Sequence, residues 1–156
     1  MLLAILLATM MVVATFLFHY KVLLLLATFV PRLKLATQAH VLIIVFALFL
    51  AHVAEIGFYA MVYAWSIHDL ELGSLKGIVT HDSMEFLYFS SVTYTSLGLG
   101  DVYPGGHLRF LTGVETLNGL LLIAWSGSFT FLAMGRQWPW GQCVKTDTDD
   151  DCFGGK

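Results

Sequence analysis

The chain has 156 residues, of which 58% are hydrophobic and 12% charged, and its formal net charge is −3. A soluble domain carries about a quarter charged residues, so half that share excludes an ordinary soluble globule and a disordered chain. The mildly acidic balance excludes a general nucleic-acid or polyanion binder.

The charges are clustered. None occurs in 1–20, 35–54, 56–68, 86–100 or 116–135, and about 20 apolar residues suffice for a helix to cross a bilayer. The first apolar segment runs from Leu2 to Val30 and stops at Pro31-Arg32. No positive region precedes it and no small-residue cleavage site follows, so it reads as a retained helix rather than a signal peptide. At 1.5 Å per residue it is about 43 Å long, and His19-Tyr20-Lys21 interrupts its apolar run. One continuous, tilted helix with Lys21 snorkelling is expected, rather than a span ending near Phe18. The second span covers about His40 to Trp65 and the third about Arg109 to Arg136. Trp65, Trp138 and Trp140 mark interfacial belts. Arg32 and Lys34 lie between the first two spans, and Arg136, Lys145 and Lys156 follow the third, so the positive-inside rule puts 31–39 and the C-terminus in the cytoplasm. The N-terminus and 66–108 then face out.

Between the last two spans, residues 84–95 form an apolar, hydroxyl-rich run too short to cross a membrane. Asp82 and Glu85 have the spacing of a capping box. Next come Ser96-Leu97-Gly98-Leu99-Gly100-Asp101, whose alternating glycines free the backbone to turn its carbonyls one way, and then Tyr103-Pro104-Gly105-Gly106. A short helix followed by extended backbone at membrane depth is tolerated only where it is buried or lines a water-filled path. That points to a pore.

The run Thr93-Tyr94-Thr95-Ser96-Leu97-Gly98-Leu99-Gly100-Asp101-Val102-Tyr103-Pro104 resembles the potassium-channel signature T-x-T-T-V-G-Y-G-D-x-x-P. Tyr88-Phe89-Ser90 resembles the pore helix of two-pore-domain potassium channels, and residues 40–136 are similar to the outer helix, pore loop and inner helix of the small bacterial ion-channel family. The resemblance implies an all-α membrane protein: an N-terminal transmembrane helix (1–30), a cytoplasmic loop (31–39), a pore domain (40–136) with a re-entrant pore helix and selectivity filter, and a cytoplasmic tail (137–156). It implies a passive, potassium-selective, homotetrameric channel among the lipids of a bacterial inner membrane. It is not an enzyme, and it has no cofactor beyond the potassium ions in the pore. The filter is then Ser96, Leu97, Gly98, Leu99 and Gly100, with potassium at the carbonyls of Ser96, Leu97, Gly98 and Leu99 and at the Ser96 hydroxyl. Tyr88, Thr95 and Asp101 support it, with a hydrogen bond from Tyr88 to Asp101. Three positions depart from the signature: Ser96 stands for Thr, Leu97 for Val, and Leu99 for a Tyr that normally bonds outward. Some two-pore-domain filters carry Leu at the last of these, so potassium selectivity is expected over weakly selective cation conduction.

Other residues carry two readings each. Gly119 matches the family's inner-helix hinge and is equally a close-packing glycine. Asn118, mid-span with Trp125, lines the cavity or bonds between helices. His52 and Glu55 share one face of span two. They form either a metal or proton-sensing site with His19 or Glu115, or a buried pair bracing the outer helix against Ser90 and Ser91; the second is expected. A membrane metalloprotein built on His19, His52 and Glu55 is the alternative from another functional class, and it leaves the filter motif unexplained. His81 and His107 flank the outer mouth and read as ordinary loop histidines. Cys143 and Cys152 form no framework. Asp147, Asp149 and Asp151 have the spacing of calcium-loop ligands, but Cys152 replaces the needed Gly, so the tail, with Asp150, reads as solvated.

Overall fold

In a computed structural model, residues 1–33, 35–77 and 83–137 are described. The order is α1 (Leu2–Phe29), a 3-10 turn (Val30–Arg32), α2 (Thr37–His68), β1 (Leu75–Gly77), α3 (Ser83–Tyr94), β2 (Val102–Pro104) and α4 (Leu108–Gln137). α1 is one continuous helix, as expected, and ends where Pro31 enters the 3-10 turn; proline has no N–H to continue the ladder. α2 is longer than the apolar run at both ends, because polar residues at span ends keep helical backbone outside the hydrocarbon. α1, α2 and α4 are each long and apolar enough to cross a membrane, and α3 is not.

α1 is apolar on nearly every side, yet Ala4, Leu7, Ala8, Met11, Thr15, His19, Leu23 and Leu26 are buried. Steps of three and four residues put these on one stripe, which packs on α4 and α2. α1 and α4 run parallel and α2 antiparallel, because their ends share two apolar cores. Near the α3–β2 loop Ala8 and Met11 meet Tyr59, Tyr63, Phe89, Tyr94, Leu108 and Leu111. At the far end Leu23, Leu26 and Val30 meet Ile44 and Leu48, with Phe129 and Ala133 alongside. A polar layer containing Thr15, His19, Glu55, Asn118 and Ser126 is buried between them.

Two short strands are not legible in the sequence. β1 and β2 pair antiparallel with Lys76 opposite Tyr103. The pairing continues as Gly105 N–H donates to Ser74 O (2.8 Å) and His107 N–H to Leu72 O (3.0 Å). Strands of three residues show no alternation to read. What permits them is close backbone approach: a Cβ on Gly77 would stand 2.0 Å from the Asp101 carbonyl oxygen. The clasp ties the segment after α2 to the segment after the Ser96–Asp101 loop. His81, Asp82, Trp138, Trp140 and the acidic, cysteine-bearing tail lie outside the described residues.

Candidate pore loop and its polar support

The loop begins inside the end of α3. Leu97 N–H donates to Val92 O (2.9 Å) and Ser96 N–H to Thr93 O (2.9 Å), the paired bonds of a Schellman motif. Its left-handed position is usually Gly. Here it is Ser96, with φ 57°, and such a conformation costs an L-residue about 1–2 kcal/mol. Gly98 (φ 55°) and Gly100 (φ 79°) are also left-handed, while Leu97 and Leu99 are not. The backbone therefore alternates in handedness from Ser96 to Gly100. Thr95 is the cap residue, and its hydroxyl donates to Ser91 O (2.7 Å). Leu97 and Leu99 are 63% and 61% exposed.

The far end of the loop is tethered. Tyr88 Oη donates to Asp101 Oδ2 at 2.5 Å, the bond expected from the sequence, and Val102 N–H donates to Asp101 Oδ1 at 2.9 Å. The Tyr88 bond, helped by the Val102 N–H, holds the Asp101 carboxyl below its usual range, and the same bond pushes the Tyr88 phenol up. The tether is thus in place at neutral pH and is lost as pH falls through the lowered Asp101 value. Tyr88→Phe should speed loss of current under sustained opening several-fold with little effect on assembly. Asp101→Asn should act in the same direction but more weakly, because the amide still accepts. A double-mutant cycle on that rate is the check, and full additivity would show that the pair does not interact.

Two carboxyls pin α3 from behind. Ser90 Oγ lies 2.6 Å from Glu115 Oε1 and 2.9 Å from Ile56 O, and Tyr63 Oη donates to Glu115 Oε2 at 2.5 Å. Tyr94 Oη, at the last residue of α3, donates to Glu55 Oε2 at 2.5 Å. His19 Nδ1 lies 2.9 Å from Glu55 Oε1, and His52 Nδ1 lies 3.1 Å from Glu55 Oε2 and 2.9 Å from Tyr94 Oη. Ser126 Oγ lies 3.0 Å from Nε2 of both His19 and His52. Trp125 packs against His19 (ring centroids 5.7 Å).

This corrects the expected brace. Glu55 and His52 hold α3 through Tyr94, not through Ser90 and Ser91. Ser90 turns to Glu115, and Ser91 bonds Tyr88 O within α3. A side chain leaving a helix end reaches farther sideways than a short serine at mid-helix. Glu115 therefore stands in a separate network, while His19, His52 and Glu55 come together with ligand atoms all within 4.8 Å of one another, a set that could hold a metal ion. Asn118 does not line a cavity: it is buried, and its Nδ2 donates to Thr15 Oγ1 (2.8 Å) and Tyr59 Oη (3.0 Å). α4 runs unbroken through Gly119, where an added Cβ would stand 2.2 Å from the Tyr94 carbonyl oxygen. That is the packing reading of this glycine. His107 is exposed. Tyr94, Tyr63, Ser126 and Thr15 were not singled out from the sequence. The available signal was a hydroxyl within each apolar span, which must find a partner once water is excluded.

A family model described as an ion channel matches residues 51–134, more than half of the chain. No curated protein and no solved structure matches it.

Proposed function

We propose that this chain, which belongs to the ion-channel family matched by its residues 51–134, is a passive potassium-selective channel whose pore is closed by four copies. Family membership with three membrane-crossing helices makes it a multi-pass membrane protein and an ion channel, which accords with a non-enzyme. The observation that carries the finer reading is the alternating handedness of Ser96–Gly100 directly after a helix end. In an ordinary strand successive carbonyls point to opposite sides. Alternating the sign of φ turns them toward one side. A potassium ion must exchange its water shell for oxygen ligands, and rings of backbone carbonyls supply them. One chain has one such strand, so a ring needs several copies, and four give the family's geometry. The carbonyls of Ser96, Leu97, Gly98 and Leu99 and the Ser96 hydroxyl would face the axis, and the partial negative charge at the C-terminal end of α3 favours a cation there. The exposure of Leu97 and Leu99 in one chain supports neighbours that cover them.

In this reading the N-terminus is outside and residues 31–39 and the C-terminus are inside a bacterial inner membrane, following the basic residues. Potassium ions and lipids are the partners, and potassium is cargo rather than cofactor. Purified protein in liposomes should pass potassium down its gradient and sodium much more slowly; equal rates would favour the weakly selective alternative. Leu99 cannot make the outward hydrogen bond of a Tyr, which motivates that alternative. Leu99→Tyr should raise the potassium-to-sodium permeability ratio or leave it unchanged, read from reversal potentials in mixed-ion bilayers. A clear fall would mean that the surroundings of position 99 are shaped for Leu.

A further inference from the structure

We propose that His19, His52 and Glu55 form a site for a divalent transition metal of the zinc class, with the Tyr94 phenol oxygen as fourth ligand. Glu55 is fully buried within a spanning helix, a placement that is expensive and by default functional. Among the described residues its only ion-pair partners are the two imidazoles. Nitrogen and oxygen donors of this kind suit zinc-like ions. Zinc–ligand bonds of about 2.0–2.1 Å place neighbouring tetrahedral ligands about 3.3 Å apart. With Glu55 Oε1 as the ligand, its 2.9 Å contact with His19 Nδ1 and the 2.9 Å contact of His52 Nδ1 with Tyr94 Oη need adjustments of only a few tenths of an ångström to meet that, while Glu55 Oε2, 3.1 Å from His52 and 2.5 Å from Tyr94 Oη, accepts the phenol proton. The wider separations within the 4.8 Å envelope must close by more.

Ser126 argues for a metal over a plain hydrogen-bonded cluster. A metal takes the lone pair of Nδ1 on both rings, which puts a proton on both Nε2 atoms. A ligating histidine almost always donates that second N–H to an acceptor. Ser126 Oγ is 3.0 Å from both Nε2 atoms, and its two lone pairs accept both at once. His52 is 17% exposed, whereas His19 and Glu55 are fully buried.

The ligands come from α1, α2 and α3, and the shared acceptor from α4. A bound ion would thus fix Tyr94, two residues before Ser96, to the rest of the bundle. That consequence for conduction rests on the pore reading; the binding does not. The test uses the full chain in detergent with Cys143→Ser and Cys152→Ser, so that tail thiols do not compete, and cobalt(II) as a visible stand-in for zinc. One equivalent per chain should give the intense d–d absorption of a tetrahedral centre, removed by added zinc. Ser126→Ala should weaken binding about 10–100-fold, and Glu55→Gln, which keeps the side chain's size, should abolish the bands. Only the faint spectrum of aqueous cobalt in the parent protein, or unchanged binding in both variants, would overturn the site. In liposomes zinc should slow potassium flux of the parent but not of Glu55→Gln. Equal flux with and without zinc would overturn the coupling, and a protein that binds cobalt yet never conducts would overturn the pore reading and leave the site.

Discussion

Gly98→Ala is expected to abolish potassium flux while leaving assembly and thermal stability close to those of the parent. A Cβ at position 98 would meet nothing within 4 Å, so the single chain has room for it. The difficulty is conformational: φ at Gly98 is 55°, and alanine there costs about 1–2 kcal/mol. In the fourfold pore we propose, that strain repeats in every copy of one ring. The peptide relaxes by turning its carbonyl away, and the oxygen shell is lost. Flux from liposomes, together with cross-linked subunit number and a melting curve, is the measurement. Parent-like flux would sink the assignment of 96–100 as the ion path.

Gly119→Ala is expected to do the reverse, striking the fold first. Its Cβ would sit 2.2 Å from the Tyr94 carbonyl oxygen and 3.0 Å from the Tyr94 carbonyl carbon. That neighbour is backbone, so no rotamer change relieves the overlap, and α3 and α4 must part. Overpacking of this kind typically costs about 1–3 kcal/mol, offset by up to about 1 kcal/mol from alanine's better helix propensity. Because Tyr94 also bonds Glu55, the displacement reaches the polar layer. The melting midpoint should fall, and conduction should fall with it. A variant as stable as the parent would show that α4 and α3 do not meet so closely.

The three spans and the short helix α3 were legible because charge-free runs of membrane length admit little else, and because the Thr93–Pro104 motif has a fixed place between two spans. The Tyr88–Asp101 bond was legible because Asp101 sits within that motif and Tyr88 a fixed distance before it on that short helix. The partners of Glu55 were not. Its own helix offers His52 three residues away, but His19 and Tyr94 lie on other helices. α1 is so uniformly apolar that no contrast shows which face turns inward. The rotation that points Thr15 and His19 at the bundle follows from packing alone. Asn118 was ambiguous for the same reason: a mid-span amide suits water or another helix, and only the position of Thr15 and Tyr59 decides. The clasp of β1 and β2 left only glycines as its trace.

The burial of Thr15 and His19 on α1 bears on how such a chain enters a bilayer. α1 precedes its partners in the sequence: Thr15 already donates to Met11 O within α1 and only later accepts from Asn118, whereas His19 finds Glu55 on α2 and Ser126 on α4. Until α2 is made, His19 lies without its carboxylate among lipid tails or against the insertion machinery. The dependence also runs backward. Removing α1 would take from Glu55 and Ser126 their bonds to His19, and from Asn118 its bond to Thr15, leaving these groups only their partners on α2, α3 and α4. The N-terminal helix thus completes the polar layer rather than merely shielding it: each of its two buried polar side chains supplies a bond that α2, α3 and α4 cannot replace.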